Sequence, residues 1–181
     1  MREATACHLS RQNGHGIEVL LGSRRSSFCN RVLNGPGGGL HKGEGISAGG
    51  KRETCQEVSS IIDLSSVWHF ATVDSYHPSV LGGHNLEYRV YHLNVTRWEG
   101  EPCITEERAF WYLRWFAQKR LPYKRMMPDV ALWMPLTLKN KDPQKLLEVE
   151  AYYADVKLKM VEKILWKWVD RPKGLWPKRK P

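Results

Sequence analysis

Residues Gly38 to Ser60 read Gly-Gly-Leu-His-Lys-Gly-Glu-Gly-Ile-Ser-Ala-Gly-Gly-Lys-Arg-Glu-Thr-Cys-Gln-Glu-Val-Ser-Ser. The stretch begins as a glycine-rich loop, and its second half carries Arg52, Glu53, Gln56 and Glu57 at helical spacing. Because residues three and four positions apart share a helix face, Glu53 and Glu57 project to the same side. Two like charges so close repel each other, and a hard divalent cation such as Mg²⁺ would relieve the repulsion. The stretch therefore predicts a metal site that binds phosphate oxygens.

The spacing of this stretch resembles the Nudix box, Gly-x5-Glu-x7-Arg-Glu-U-x-Glu-Glu-x-Gly-U, where U is an aliphatic residue. Fixed positions of that motif are occupied by Gly38, Glu44, Arg52, Glu53 and Glu57. The resemblance to the Nudix superfamily implies an α/β protein, with an α/β/α sandwich around a mixed β-sheet.

The box departs from the motif at four positions. Gln56 replaces the first glutamate of the pair, Thr54 and Ser60 stand at aliphatic positions, and Ser59 stands where glycine is usual. Gln56 can hold a metal ion, or water bound to it, only through a neutral amide oxygen.

A second resemblance extends over residues 17 to 164 and points to the oxidised purine nucleoside triphosphatases of that superfamily. It rests on the order of Leu20-Leu21-Gly22, Phe28, Asn34-Gly35, the segment from Glu106 to Trp111 and the segment from Leu121 to Leu136. It implies a pyrophosphohydrolase that depends on Mg²⁺, with Mn²⁺ as the alternative. Water would attack the diphosphate bridge of a purine nucleoside triphosphate and release monophosphate and pyrophosphate.

The resemblance also implies roles for individual residues. Glu57 would help deprotonate the attacking water, Arg52 would orient a glutamate, and Glu44 would tie the glycine loop to the helix. The predicted catalytic residues are Glu57, Glu53 and Arg52, and the predicted metal ligands are Glu53, Gln56, Glu57 and Glu106.

For the substrate, the resemblance places Phe28, Asn34, Met127 and Asp129 around the purine. We expect Arg24 and the backbone at Gly38 to meet the phosphates, because a glycine loop lets the main chain approach a ligand closely. Val130 stands where the mammalian enzymes have a second aspartate, which leaves the base preference open. The alternative is that these residues around the purine only pack a helix against the sheet.

Local patterns predict the surrounding elements. Strands are expected at 4–9, 17–21, 67–73, 88–95 and 109–113, with a hairpin joining the third and fourth. For the helix of the box, Ser47 is the predicted N-cap, and Cys55, Val58 and Ile62 the predicted apolar face. Gly49 and Gly50 each cost a helix about 1 kcal/mol relative to alanine, so tertiary packing must hold this one. Residues 147–164 read as a strand pair or as a strand and a short helix.

Composition limits the class of protein. The chain has 181 residues with 41% hydrophobic and 26% charged side chains, which suits one globular domain. We expect a single domain over 1–165 and a basic, tryptophan-rich tail over 166–181. No apolar run approaches the roughly 20 residues of a membrane span. The four cysteines lack paired spacing, so they predict reduced thiols. The expected location is intracellular and cytoplasmic, with mitochondrion and nucleus as alternatives.

The net charge of +9 favours polyanionic partners. Two other functions stay open beside the triphosphatase, the first because of this charge and the second because of Gln56, Ser59 and Val130. One is a Nudix protein that acts on RNA 5′ ends or caps and binds RNA through the tail. The other is a non-catalytic Nudix module of a ribonucleoprotein assembly. The sequence leaves the oligomeric state undetermined.

Overall fold

A mixed β-sheet dominates the computed structural model, which describes residues 1–25, 31–140, 142, 144–155 and 157–171. The order of its strands is β10-β9-β5-β6-β1-β2-β3, and β8 pairs with β2. The pairs β1/β6 and β5/β9 are parallel and the others are antiparallel. Strands β4 and β7 form a separate two-stranded sheet. The strands are β1 Arg2–Asn13, β2 Gly16–Arg24, β3 Leu33–Asn34, β4 Ile61–Ile62, β5 Val67–Pro78, β6 His84–Val95, β7 Trp98–Glu99, β8 Phe110–Ala117, β9 Lys145–Tyr153 and β10 Val161–Asp170.

Two helices, α1 (Ile46–Val58) and α2 (Val130–Lys139), cover opposite faces of the large sheet. Gly50 of α1 lies against Leu93, whereas Trp133 of α2 lies with its ring centre 4.7 Å from that of His92. Neighbouring residues in a strand point to opposite faces, so the helices lie on either side of β6. The predicted α/β fold with a mixed sheet is confirmed.

The predicted strands are confirmed, and each is longer in the structure than the pattern indicated. The hairpin of β5 and β6 is also confirmed, with residues 79–83 at its tip. Of the two readings for residues 147–164, the strand pair is correct, since β9 and β10 pair antiparallel.

Two details predicted for α1 are wrong. The helix begins at Ile46 with Gly45 as N-cap and no capping side chain, so Ser47 lies inside the first turn. Cys55 is exposed, and the buried residues of α1 are Gly49, Gly50, Thr54, Glu57 and Val58. The predicted Ile62 is buried but belongs to β4.

The reason is that α1 approaches the sheet through a glycine. A Cβ at Gly50 would lie 2.7 Å from Leu93 Cδ1 and 2.8 Å from Cys7 Sγ, so any side chain there would push the helix away. With Gly50 against the sheet, Cys55 faces solvent and Glu57 faces the interior. Tertiary packing thus holds a helix that its glycines weaken, as predicted.

The first residues of the predicted tail belong to the sheet. Trp166 to Asp170 pair with β9, and Trp168 packs against the main apolar cluster. The prediction of a tail from residue 166 is therefore corrected for 166–170, while its remainder, 172–181, lies outside the described residues. No helix in the described part of the chain is long and apolar enough to cross a membrane.

Candidate active site

The glycine-rich loop is held against β1 by main-chain hydrogen bonds. Thr5 N–H donates to Gly38 O at 2.9 Å and Cys7 N–H donates to Pro36 O at 2.7 Å. A Cβ at Gly35 would lie 2.0 Å from Cys7 O, and one at Gly37, whose φ is +150°, would lie 2.1 Å from Thr5 O. Only glycine permits this close approach, which brings the loop beside the polar face of α1.

Arg52 connects this loop to α1. Its guanidinium donates to both carboxylate oxygens of Glu44, each at 2.8 Å, and to Gly39 O at 2.9 Å. Glu44 in turn accepts the N–H of His41 at 3.0 Å. Arg52 keeps the pKa of the Glu44 carboxyl low, at about 2. The structure thus places Glu44 between the loop and the helix, in the position expected from the resemblance.

Glu53 lies against the loop at Gly38. Arg52 donates to Glu53 Oε1 at 2.6 Å. The other oxygen, Oε2, would be 2.5 Å from a Cβ at position 38. Glycine at position 38 therefore leaves the room that this carboxylate occupies, and Arg52 sets its orientation.

Glu57 is buried one turn further along the same face. Its Oε2 accepts the N–H of Gly37 at 2.8 Å, and its Oε1 accepts from Arg24 Nη1 at 2.5 Å. Arg24 also donates to the carbonyls of Gly35 and Gly37. Glu53 and Glu57 therefore face adjacent glycines, which agrees with the predicted shared helix face.

Burial raises the pKa of the Glu57 carboxyl above its ordinary value, and the nearby charge of Glu53 acts in the same direction. The charge of Arg24 and the Gly37 N–H oppose that rise. A buried carboxyl whose pKa is raised accepts a proton from water more readily than an ordinary glutamate. Arg24, predicted to bind substrate, is thus placed as the counter-ion of Glu57.

The remaining predicted ligands lie at the C-terminal end of α1. Gln56 Oε1 accepts from Arg52 Nη1 at 3.3 Å. The side chain of Thr105 donates to Gln56 O at 2.6 Å and its N–H donates to Glu57 O at 3.1 Å. These bonds hold the segment that carries Glu106 beside the helix end, with Glu106 itself exposed.

The donor set fits a hard divalent cation. Within the described residues, no group of three His, Cys, Asp or Glu side chains is arranged to hold a metal. The site nevertheless offers the carboxylates of Glu53 and Glu57 and the amide oxygen of Gln56. Mg²⁺ keeps several waters and is commonly bound by one or two carboxylates together with substrate phosphates. The residues present therefore suit Mg²⁺ or Mn²⁺ better than a thiophilic metal.

Two of the predicted base-binding residues, Met127 and Asp129, lie on the other face of the sheet. Asp129 immediately precedes α2 and is fully buried, and burial raises the pKa of its carboxyl. Its oxygens accept from Trp133 Nε1 at 2.8 Å and from the Tyr153 hydroxyl at 2.6 Å. Met127 is half-buried against the same apolar cluster. The structure brings Met127 and Asp129 together at the start of α2.

The contacts of Asn34 are more local, since its Oδ1 accepts the N–H of Gly35 at 2.9 Å. Phe28 lies outside the described residues. Val130 is buried, as expected for an apolar side chain. A cavity of about 1010 Å³ is lined by His8, Phe70 and Met134 among others. Its lining includes neither Asp129 and Met127 nor the carboxylates of α1.

Sequence reasoning missed three contributors to the site. Trp133 and Tyr153 fix the Asp129 carboxylate, and the Gly37 N–H binds Glu57. Trp133 stands four residues after Asp129 on α2, so helical spacing could have revealed it. Tyr153 is distant in sequence, and no local pattern marks it.

Comparison with known proteins agrees with this geometry. A family model described as NUDIX domain matches residues 1–136. The chain belongs to the NUDIX family. The predicted identification as a Nudix hydrolase is confirmed.

Two relatives of this Nudix chain carry the same description, oxidized purine nucleoside triphosphate hydrolase. The chain is 31% identical over 124 residues to that of Mus musculus and 29% identical over 130 residues to that of Danio rerio. Each match covers 68% of this chain and 73% of the relative.

Among solved structures, a MutT protein from Bacillus halodurans is similar, with a TM-score of 0.71 and 17% identity. The match covers 92% of this chain and 97% of that one. A MutT NUDIX hydrolase from Burkholderia pseudomallei has a TM-score of 0.54 and 22% identity, and covers 67% of this chain and 86% of its own. At these identities the likeness shows the fold.

Proposed function

We propose that this Nudix hydrolase cleaves purine nucleoside triphosphates, oxidised purines among them, to monophosphate and pyrophosphate in a reaction that depends on Mg²⁺. The observation that carries the proposal is the placement of Glu53 and Glu57 against Gly38 and Gly37. Two carboxylates one turn apart beside a glycine loop suit a polyphosphate whose charge a divalent cation neutralises. The description of the two vertebrate relatives supports a purine nucleoside triphosphate as substrate.

In this proposal Glu53, Gln56 and Glu57 hold the cation, with Glu106 as a further carboxylate. When bound, Mg²⁺ would neutralise phosphate charge and lower the pKa of its water. Glu57 accepts the proton of the attacking water at its carboxylate. Arg52 positions Glu53 through the 2.6 Å bond to Oε1.

Arg24 has two anionic partners in this scheme. In the structure it pairs with Glu57, and a triphosphate at the glycine loop would offer phosphate oxygens to the same guanidinium. Bidentate guanidinium groups suit phosphate geometry. Arg24 would thus leave Glu57 for the substrate and release the carboxylate that accepts the proton.

Asp129 is proposed to bind the purine edge. Its two bonds from Trp133 and Tyr153 hold the carboxylate in one orientation, and each oxygen keeps a further lone pair for a base N–H. The raised pKa means that Asp129 can also be protonated and donate to a base oxygen. With Val130 in place of a second acid, this one group would supply both kinds of contact.

The test is release of pyrophosphate from a panel of normal and oxidised purine nucleoside triphosphates, with Mg²⁺ titrated from zero. We expect turnover that requires the cation and falls at least a hundredfold in Glu57→Gln, because a proton acceptor typically contributes two to four orders of magnitude. Glu99→Gln, at an exposed position on β7, is the matched control and should retain activity.

Equal turnover by Glu57→Gln and wild type would show that the assigned mechanism is wrong. Absence of turnover on every nucleotide, from protein with a cooperative unfolding transition, would favour the RNA-end or non-catalytic functions instead. Fast turnover that prefers an oxidised purine would establish that Val130 is compatible with that preference.

A further inference from the structure

One edge of the large sheet carries an unusual concentration of cations and aromatic rings. Residues 108–125 include six cations, six aromatic side chains and no acid. They form β8 and two 3₁₀ turns, Gln118–Arg120 and Tyr123–Arg125. We call this segment the β8 belt. Its composition is that of a surface which binds single-stranded nucleic acid, where cations meet phosphates and rings stack on bases.

Much of the belt is accessible, although Ala109, Phe110 and Leu121 within it are buried. Strand β8 pairs only with β2 among the described strands, so it forms an edge of the sheet. Trp111 is 49% exposed and Tyr112 is 38% exposed. Both 3₁₀ turns lack buried residues, and each carries two cations in its last turn.

Arginine side chains lie over several of these rings. The guanidinium of Arg25 is 4.0 Å from the ring centre of Trp111, and Arg114 lies 5.7 Å from that of Phe116. Arg125 donates to the Tyr112 hydroxyl and also lies over its ring. A planar guanidinium beside an indole gives an unpaired base two flat surfaces on which to stack.

The belt also continues the candidate active site. Arg25 follows Arg24, the residue that holds Glu57, and its N–H and guanidinium bind the carbonyls of Ala109 and Glu107. A chain that leaves the glycine loop would therefore meet Arg25 and Trp111 first. Further along the chain, after β8, come the cations Lys119, Arg120, Lys124 and Arg125.

The opposite edge of the sheet, strand β10, differs from the β8 belt in its charges. Strand β10 also exposes a tryptophan, Trp166, at 50%. Of the two lysines on β10, Lys167 pairs with Glu148 and Lys163 lies over the ring of Tyr152, and the strand also carries two acids, Glu162 and Asp170. Of these two described strands, β8 contains no acid, whereas β10 does.

From these observations we infer that the β8 belt binds single-stranded nucleic acid. A duplex fits poorly, because its bases are already stacked and cannot meet Trp111. An acidic protein would pair with the cations but would not use the exposed rings of Trp111 and Tyr112 for stacking. The binding is independent of hydrolysis at the glycine loop.

The experiment measures fluorescence anisotropy of a labelled 12-nucleotide RNA with a 5′ hydroxyl, with the full chain, in EDTA, and over a range of salt concentrations. We expect Trp111→Ala to weaken binding about tenfold, the usual scale for loss of one stacked base. Trp166→Ala is the matched control and should change affinity less than twofold. Trp111→Phe, which keeps a ring, should recover much of the loss.

A second set of variants tests the cations. Replacing Arg114, Lys119 and Arg120 together by alanine should lower the slope of log Kd against log salt by about 2, since each phosphate contact on a single strand contributes about 0.7. The control replaces Lys157, Lys159 and Lys163, which lie toward the other edge, and should leave that slope unchanged. Thermal melts establish that each variant is folded.

Three results would overturn the inference. The first is no RNA binding by wild type at low salt. The second is equal loss in the belt variants and in their controls. The third is a poly-glutamate peptide that displaces the RNA equally well from wild type and from Trp111→Ala, because binding would then depend on charge alone.

Discussion

Replacing Arg24 by methionine would leave the Glu57 carboxylate buried without its cation. The side chains of Arg24 and Glu57 are only 16% and 8% exposed, and Arg24 Nη1 lies 2.5 Å from Glu57 Oε1. Removing one partner of such a buried pair costs about 3–5 kcal/mol. The carbonyls of Gly35 and Gly37 also lose a donor, so we expect the free energy of unfolding to fall by at least about 3 kcal/mol.

The loss should depend on pH in a definite direction. Without Arg24, burial dominates and raises the pKa of Glu57 further above 4.5, its ordinary value. A raised pKa means that the folded state retains a proton which the unfolded state releases. The free energy of unfolding therefore falls as the pH rises above the pKa that Glu57 has in the unfolded state. We expect Arg24→Met to be more destabilising at pH 8 than at pH 5.

The assay is urea unfolding in EDTA, so that no metal binds Glu57. Glu57→Gln and the double variant complete a cycle. We expect the two changes together to cost less than their sum by 1 kcal/mol or more, because a neutral amide does not need the guanidinium. Arg97→Met is the control, since its bridge to Asp63 is exposed at 64% and 41% and should contribute below about 1 kcal/mol.

Two outcomes would refute this reasoning. One is a loss in Arg24→Met no larger than that in Arg97→Met. The other is strict additivity of Arg24→Met and Glu57→Gln, which would show that the pair is not coupled. In either case Arg24 would not act as the counter-ion of the buried carboxylate.

Two further predictions concern the glycine loop and the buried histidines. Gly38→Ala should lower kcat while the protein stays folded, because its Cβ would displace Glu53 Oε2; Gly39→Ala, where nothing lies within 4 Å, is the control in the pyrophosphate assay. His8 Nε2 lies 3.0 Å from His92 Nδ1, and burial lowers the pKa of His8 to about 4. As the pH falls from 6.5 to 4, the unfolded state takes up a proton on this ring before the folded state does. The free energy of unfolding should therefore fall by roughly 3 kcal/mol over that range. His8→Asn should reduce that dependence in urea titrations by the share of one histidine, while His69 and His92, whose pKa values burial also lowers, keep theirs; an unchanged slope would contradict the assignment.

Much of the site could be read from local spacing. Glu53 and Glu57 share a helix face because they stand four positions apart, and the spacing of Gly38 from them marks the glycine loop. The partner of Glu57 could not be read in this way. Arg24 lies 33 positions earlier and reaches Glu57 only because β2 runs beside the loop.

The same distinction separates the correct and the wrong details of α1. The helix itself follows from its polar spacing, but its orientation depends on which residue approaches the sheet. A count of apolar residues favoured Cys55, whereas the contact is made at Gly50, whose missing side chain no hydrophobic pattern records.

The sequence by itself determined five of the strands, the helix of the box, the carboxylates on one face and the family. Those features depend on residues that are neighbours in the chain. Tertiary structure alone decided which charge neutralises Glu57, which groups hold Asp129, and that rings and cations from 108–125 line one open edge. These depend on which distant residues the sheet order brings together, and the pairing of strands determines that order.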